Sequence, residues 1–252
     1  MDPVSQGALG AALATATQDR KKQLFTVAWL GALAGMAPDL DVLIQSGTDP
    51  LLFLEYHRQF SHALVFIPLG ALLVAWPLYG FARKSLSWRQ TYLACLAGYA
   101  THGLLDACTS YGTQLLWPFS DVRVAWNNSS IVDPLFTLPL LALVVAAAML
   151  GKRLLGIVAM AWALCYLAAG WIQQERAMAI AERQAQARGH TPERLTVKPS
   201  FGNVWLFKSI YENRGIYYVD AVRVGLTTHW CNGSSIARFD KNNIFSKLAV
   251  DS

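Results

Sequence analysis

Eight ionisable side chains sit at or inside apolar stretches of this 252-residue chain: Asp39 and Asp41 in "APDLD", His57, Arg58 and His62 in "EYHRQFSH", His102 and Asp106 in "THGLLDACTSYG", and Asp133 in "VDP". Such groups are costly in a bilayer and are functional candidates by default. Imidazole nitrogens with several carboxylates suit a divalent ion, zinc first, with manganese or iron as alternatives; a mixed His/Asp set holds one ion, or two sharing a carboxylate. An ion of this kind makes water nucleophilic near neutral pH and stabilises charge on a phosphoryl or carbonyl oxygen, which is hydrolytic chemistry. His102 and Asp106 carry most weight, because a spacing of four puts both on one helix face. If that helix ends near residue 109, His102 lies about 10 Å deep, at about 1.5 Å per residue.

Taken singly, the other residues have plainer readings. Asp39 after Pro38 can terminate a short helix, and Asp133 before Pro134 is a good helix start. Arg58 can anchor at the membrane interface, and His57 can be a solvated loop residue. Taken together, Asp39, His57, His62, His102 and Asp106 are the expected ligands. Asp41 is a further ligand or the base that orients water, and Arg58 is a clamp for an anionic group. His190 and His229, without partner spacing, read as surface residues.

The elements that must position these groups are membrane helices. Hydrophobic residues make up 54% of the chain and charged residues 15%, against about 25% charged in soluble globular domains. Val4–Gln18 and Gln23–Pro38 are uncharged runs separated by "DRKK" and read as a tight helical hairpin, with Gly7, Ala11, Ala14, Gly31 and Gly35 permitting close approach. Ala63–Ala82, Gln90 to about Cys108, about 134–150 and 154–172 read as spans. The expected class is therefore mainly α: a polytopic bundle of about five to six membrane segments over residues 1–175. A helical extension over 176–189 and a small β-rich extramembrane module over 190–252 follow it. In that module "NVWLFKSIY", "ENRG" and "IYYVDAVRVGL" predict a hairpin, and "SIARFDKNNIF" a further strand.

The net charge of +5 is spread along the chain, so the basic residues report orientation and no nucleic-acid partner is expected. Eight of them (Arg20, Lys21, Lys22, Arg83, Lys84, Arg89, Lys152 and Arg153) fall on one side of the alternation, against Arg58 and Arg123 on the other. The first side is then cytoplasmic, and the termini, the long loops and the ionisable cluster face the periplasm if the membrane is a bacterial inner membrane. The charges at the start follow the apolar stretch, the reverse of a cleaved secretory leader. The four cysteines have no metal or redox spacing, and nothing specifies an oligomeric state.

In this order, "MDPVSQGALGAALA", "GMAPDLDV", "EYHRQFSHAL", "THGLLDACTSYGTQLLWPFSDVRVAW" and "IVDPLFTLPLL" resemble the YdjM-like membrane-bound, metal-dependent hydrolases, a bacterial inner-membrane family; the likeness covers about 1–175. The resemblance implies a metal site at Asp39, Asp41, His57, His62, His102 and Asp106, and hydrolase activity without a fixed substrate. Relatives have a first-helix histidine where this chain has Gln6, so a ligand is missing or the position only supports one. The order of an early polar residue, Asp, His and His-x-x-x-Asp is also similar to zinc-dependent phospholipases C and the related single-strand-specific nucleases, which favours phosphoester cleavage. The expected function is hydrolysis of a lipid or lipid-linked phosphoester by metal-activated water, with the bilayer as partner. The alternatives are a non-enzymatic scaffold or sensor built on a structural metal or polar cluster, and, ranked last, a transporter.

Overall fold

Small residues decide how closely the first helices pack. The computed structural model describes residues 1–49 and 51–239. Its helices are α1 (Pro3–Ala16), α2 (Leu24–Met36), α3 (Leu52–Tyr56), α4 (Ile67–Ala82), α5 (Trp88–Ala107), α6 (Pro134–Leu150) and α7 (Arg153–Ala187). Four strands follow: β1 (Arg194–Pro199), β2 (Leu206–Asn213), β3 (Ile216–Val224) and β4 (Thr228–Ala237). The chain forms two units, Met1–Ile172 with Phe201–Val204, and Gln173–Ser200 with the chain from Trp205 on.

In the first unit α1, α2 and α5 meet almost backbone to backbone. A Cβ at Gly10 would lie 2.4 Å from the Gly31 carbonyl oxygen, one at Gly98 2.2 Å from the same oxygen, and one at Gly35 2.7 Å from the Gln6 carbonyl oxygen. Inside a bilayer, burying apolar surface between helices gains little over lipid contact, so close van der Waals approach of this kind holds them together. Capping fixes where the helices start. Asp2 accepts from the Ser5 amide at the head of α1, and Ser87 with Gln90 forms a capping box on α5. Asp133 caps α6 by accepting from Leu135 and Phe136, and its other oxygen accepts the Tyr166 hydroxyl at 2.7 Å. Asp133 is thus the helix start that Pro134 suggests, and it stands outside the ionisable cluster.

Among the described residues three stretches are long and apolar enough to cross a membrane: Lys21–Leu43, Leu64–Ala82 and Arg153–Ala187. That is fewer than the five to six expected. With 14 and 17 residues, α1 and α6 are short for a core of about 30 Å at about 1.5 Å per residue. α4 turns Leu69, Leu73, Trp76 and Phe81 outward, the surface a lipid-facing helix presents.

The second unit is a four-stranded antiparallel meander in the order β1-β2-β3-β4. The expected hairpin is β2 and β3. Its two-residue turn, Arg214 at φ 52° and Gly215 at φ 72°, has the double left-handed geometry that matches strand twist. β1 was not anticipated. β4 takes in only the start of the expected strand at 235–245, whose remainder from 240 lies outside the described residues. Val197, Phe207, Val222 and Val224 pack on Ala177 and Ala181 of α7. His190 corrects a sequence expectation: its Nδ1 lies 2.9 Å from the Tyr211 hydroxyl and its ring packs on Tyr218, so it is part of the module's interior edge.

Gly98→Ala forces α2 and α5 apart and costs about 1–3 kcal/mol. This is read as a lower thermal midpoint in detergent, with Gly80→Ala as the control because nothing lies within 4 Å of a Cβ there. Equal midpoints for the two variants would remove the close-contact argument.

Candidate metal centre

Four separate segments deliver the cluster. Asp39 and Asp41 lie in a 3-10 turn, Ala37–Leu43, that continues α2 past Pro38. His57 ends α3, and Arg58 then turns the chain with a left-handed φ of 62°. His62 closes a 3-10 turn, Phe60–His62, while His102 and Asp106 are one turn apart on the buried face of α5. Gly103 lets these last two segments meet, since a Cβ there would lie 2.3 Å from the His62 carbonyl oxygen. The Tyr99 hydroxyl donates to the Ser61 carbonyl at 2.8 Å and secures the same turn.

The imidazole tautomers follow from their partners. His102 Nδ1 is 2.6 Å from the Gly35 carbonyl oxygen, an acceptor only, so Nδ1 carries the hydrogen and Nε2 presents a lone pair. Ser61 donates its hydroxyl to Asp41 Oδ2 at 2.8 Å and so accepts from His62 Nδ1, 2.9 Å away; Asp41 Oδ2 itself is 3.3 Å from that nitrogen. In a neutral His62 ring Nε2 is therefore bare as well. The two Nε2 atoms face each other at 2.9 Å, a repulsive arrangement unless a proton or a metal cation lies between them. Burial pushes the His62 pKa down, but the Asp106, Asp39 and Asp41 carboxylates outweigh it and raise it to about 10.

Two carboxylates complete the group. His62 Nε2 lies 3.3 Å from Asp106 Oδ2 and 3.6 Å from Asp39 Oδ1; His102 Nε2 lies 3.4 Å from Asp39 Oδ1 and 3.9 Å from Asp106 Oδ2. All four ligand atoms fall within 4.8 Å of one another. A tetrahedral ion bound at about 2.0–2.1 Å has ligand-to-ligand edges of about 3.3 Å, and these separations bracket that length. Asp106 Oδ2 is fully buried and makes no well-aligned hydrogen bond, its neighbours being Arg58 Nε at 3.1 Å and His62 Nε2 at 3.3 Å. The donor set fits one divalent ion.

The remaining sequence candidates lie one contact further out. His57 is not in the group: its Nδ1 meets Asp41 Oδ1 at 2.8 Å, its ring stacks on Phe53, and its side chain is 25% exposed. Asp41 holds both His57 and His62 and is itself buried; a carboxylate behind a ligating imidazole fixes its tautomer and raises its basicity. Arg58 is buried, with Nε 3.1 Å from Asp106 Oδ2, Nη1 3.3 Å from Thr109 Oγ1 and its guanidinium over the Tyr111 ring. Gln6 donates to Asp106 Oδ1 at 2.8 Å, and the Met1 ammonium pairs with the same oxygen. The position the sequence left open thus hydrogen-bonds a member of the cluster.

Sequence reasoning missed Ser61 and Arg123. The Arg123 guanidinium donates to the carbonyls of Leu54, Glu55 and His57 and ties the loop before His57 to the loop after α5. Only a lone basic residue in a long loop marked it.

Full-length protein is expected to bind one zinc per chain by equilibrium dialysis. His102→Ala or Asp106→Ala should abolish binding, and Asp41→Asn should weaken it about 10- to 100-fold. Because His62 is protonated in the metal-free protein, uptake at pH 6 to 9 displaces a proton. The apparent association constant should therefore rise about tenfold per pH unit and fall as the medium is acidified. A pH-independent constant would contradict the assignment of His62 as a ligand.

The sequence profile described as YdjM inner membrane protein matches residues 1–177. The Uncharacterized protein YfhP of Bacillus subtilis (strain 168) is 27% identical over 106 residues, covering 42% of this chain and 32% of that protein. The chain therefore spans about a third of that relative's length, and no solved structure matches. With residues 1–177 of 252 accounted for, the chain belongs to the YdjM inner membrane protein family.

Proposed function

We propose that this protein is a metal-dependent hydrolase of the inner membrane that cleaves a phosphoester in a lipid or lipid-linked substrate. The observation that carries the reading is the convergence of two imidazole Nε2 atoms, 2.9 Å apart, with oxygens of Asp39 and Asp106. Zinc bound there would act as a Lewis acid and activate water.

The residues around it divide the remaining work. Asp39 is the one ligand with an exposed side chain, 26% against none for the other three, so water and substrate approach past it. Arg58 presents a buried guanidinium that faces Asp106 through Nε at 3.1 Å, and its charge is suited to an anionic oxygen beside that carboxylate. His57, oriented through Nδ1 by Asp41 and partly exposed, is placed to hand a proton to a leaving group. The loops carrying these residues expose Leu40, Leu43, Leu51 and Leu54 on one side and Tyr111, Leu116 and Phe119 on the other. Exposed apolar side chains on the loops that carry the polar cluster fit a substrate with acyl chains. The excess of basic residues on the opposite side of the alternation read from the sequence favours the periplasmic face for these loops.

A second reading rests on the ligand count. Four protein ligands close a tetrahedral site, and closed sites are commonly structural; the chain would then be a scaffold or sensor. The two readings diverge in one assay. Zinc-loaded protein in vesicles is offered phosphatidic acid, phosphatidylglycerol and polyprenyl phosphates. Hydrolysis is expected to release phosphate or a phosphorylated headgroup, stop with chelator and resume with zinc. Arg58→Lys should lower kcat/KM about 10- to 100-fold, the loss expected when a charge-assisted contact of about 1.5–3 kcal/mol is removed. If metal is bound but no lipid turns over, and chelation only lowers the thermal midpoint, the scaffold reading replaces the hydrolase.

A further inference from the structure

In the second unit the sheet lies against α7 with a fixed polarity. Gln173 donates to the Val224 carbonyl at 2.9 Å, and Arg176, held by the Gln173 side-chain oxygen at 2.7 Å, donates to the Gly225 carbonyl at 2.9 Å. At the other end Arg188 grips Asp220 and the Tyr211 hydroxyl. The β3–β4 turn, residues 225–227, therefore sits at the Gln173 end of the helix. The β2–β3 turn at Arg214 and Gly215 lies nine residues of β3 away, about 30 Å at about 3.3 Å per residue.

Gln173 directly follows the apolar part of α7. Residues 153–172 rise about 30 Å, the thickness of the hydrocarbon core. Gln173 thus marks where α7 leaves that core, and the rim tied to Gln173 and Arg176 lies within about one helical turn of the boundary.

That rim has the composition of an interfacial surface. Leu226 at the tip of the turn is fully exposed, and Trp205 and Trp230 are 47% and 56% exposed. Leu206 pairs with Arg223, which pairs with His229, and Lys208 follows on β2; Arg223 and Lys208 are exposed. Among the described residues the carboxylate at this end is Glu175 on α7, set against Arg176, Lys198, Lys208 and Arg223; Asp220 is already paired with Arg188. Indole rings favour the headgroup layer, where an apolar body and a polar N–H are both satisfied, and lysine and arginine at that depth attract anionic phospholipid.

We propose that the rim formed by Leu226, Trp205 and Trp230 lies in the headgroup layer of the leaflet from which α7 emerges, with Lys208 and Arg223 on the phosphates of anionic phospholipids. The inference is independent of the metal site and of which face of the membrane this is.

The test uses the full chain with Cys165→Ala and Cys231→Ser, carrying Leu226→Cys or, as control, Arg214→Cys. Each is labelled with a nitrobenzoxadiazole fluorophore and reconstituted in phosphatidylcholine vesicles with or without phosphatidylglycerol. At 226, lipids spin-labelled near the headgroup should quench at least threefold more than at 214, and aqueous iodide correspondingly less. Lys208→Glu with Arg223→Glu should halve the lipid quenching at 226 in phosphatidylglycerol vesicles and leave it unchanged in phosphatidylcholine alone. Equal iodide access at 226 and 214 overturns the proposal; charge reversal without effect in phosphatidylglycerol vesicles overturns its anionic-lipid part.

Discussion

Two imidazole Nε2 atoms stand 2.9 Å apart, a separation that requires a proton on one of them or a metal cation between them. Much of the first unit can be read as the means of keeping them there. The Gly35 carbonyl fixes the His102 ring, and Gly35 can stand that close only because α1 lies on it without an intervening side chain. The Gly10, Gly31 and Gly98 contacts set the spacing of the three helices, and that spacing in turn sets the distance from Gly35 to His102. On the other wall the bare backbone of Gly103 takes the His62 carbonyl, and Tyr99 ties down Ser61. Helix packing and ligand geometry are one constraint.

A buried carboxylate needs compensation on both oxygens, and Asp106 shows how this chain supplies it. One oxygen takes Gln6 and the Met1 ammonium; the other faces the Arg58 guanidinium at 3.1 Å and His62 at 3.3 Å. Asp41 is treated alike, with His57 on one oxygen and Ser61 and the Arg58 amide on the other. The left-handed turn at Arg58 serves both: it points that amide at Asp41 while sending the guanidinium to Asp106. A non-glycine residue holds such a φ only where its surroundings over-determine it, and here they do so through two carboxylates.

Much of this was legible in the sequence. The spacing of His102 and Asp106 places them on one buried helix face by periodicity alone, and Asp133 before Pro134 announced a cap. The "ENRG" turn was equally readable, because a glycine in second place permits the double left-handed hairpin. Other features turned on contacts between segments far apart in the chain. His57 and His62 look alike as two histidines five apart, yet the turn at Arg58 gives one to Asp41 and the other to the ligand group. His190 looked like a surface residue because Tyr211 and Tyr218, which enclose it, come from strands formed later in the chain. β1 does alternate, as Arg194, Leu195, Thr196, Val197 and Lys198, but the stretch is short and its pairing with β2 makes it a strand.

The ligand group is complete as a tetrahedron, which on ligand count alone favours a structural ion, yet its members are unequal. His62, His102 and Asp106 are enclosed and braced from behind, by Asp41, the Gly35 carbonyl and Gln6 respectively. Asp39 ends no such chain of support: it lies on a short 3-10 turn, a quarter exposed, directly before the exposed Leu40. A site built only to staple helices together has no reason to leave its weakest-held ligand at the rim. Under the proposed hydrolase reading, three fixed ligands and one that can yield would leave room for a substrate oxygen, and Arg58, next to Asp106, would face the charge that oxygen brings.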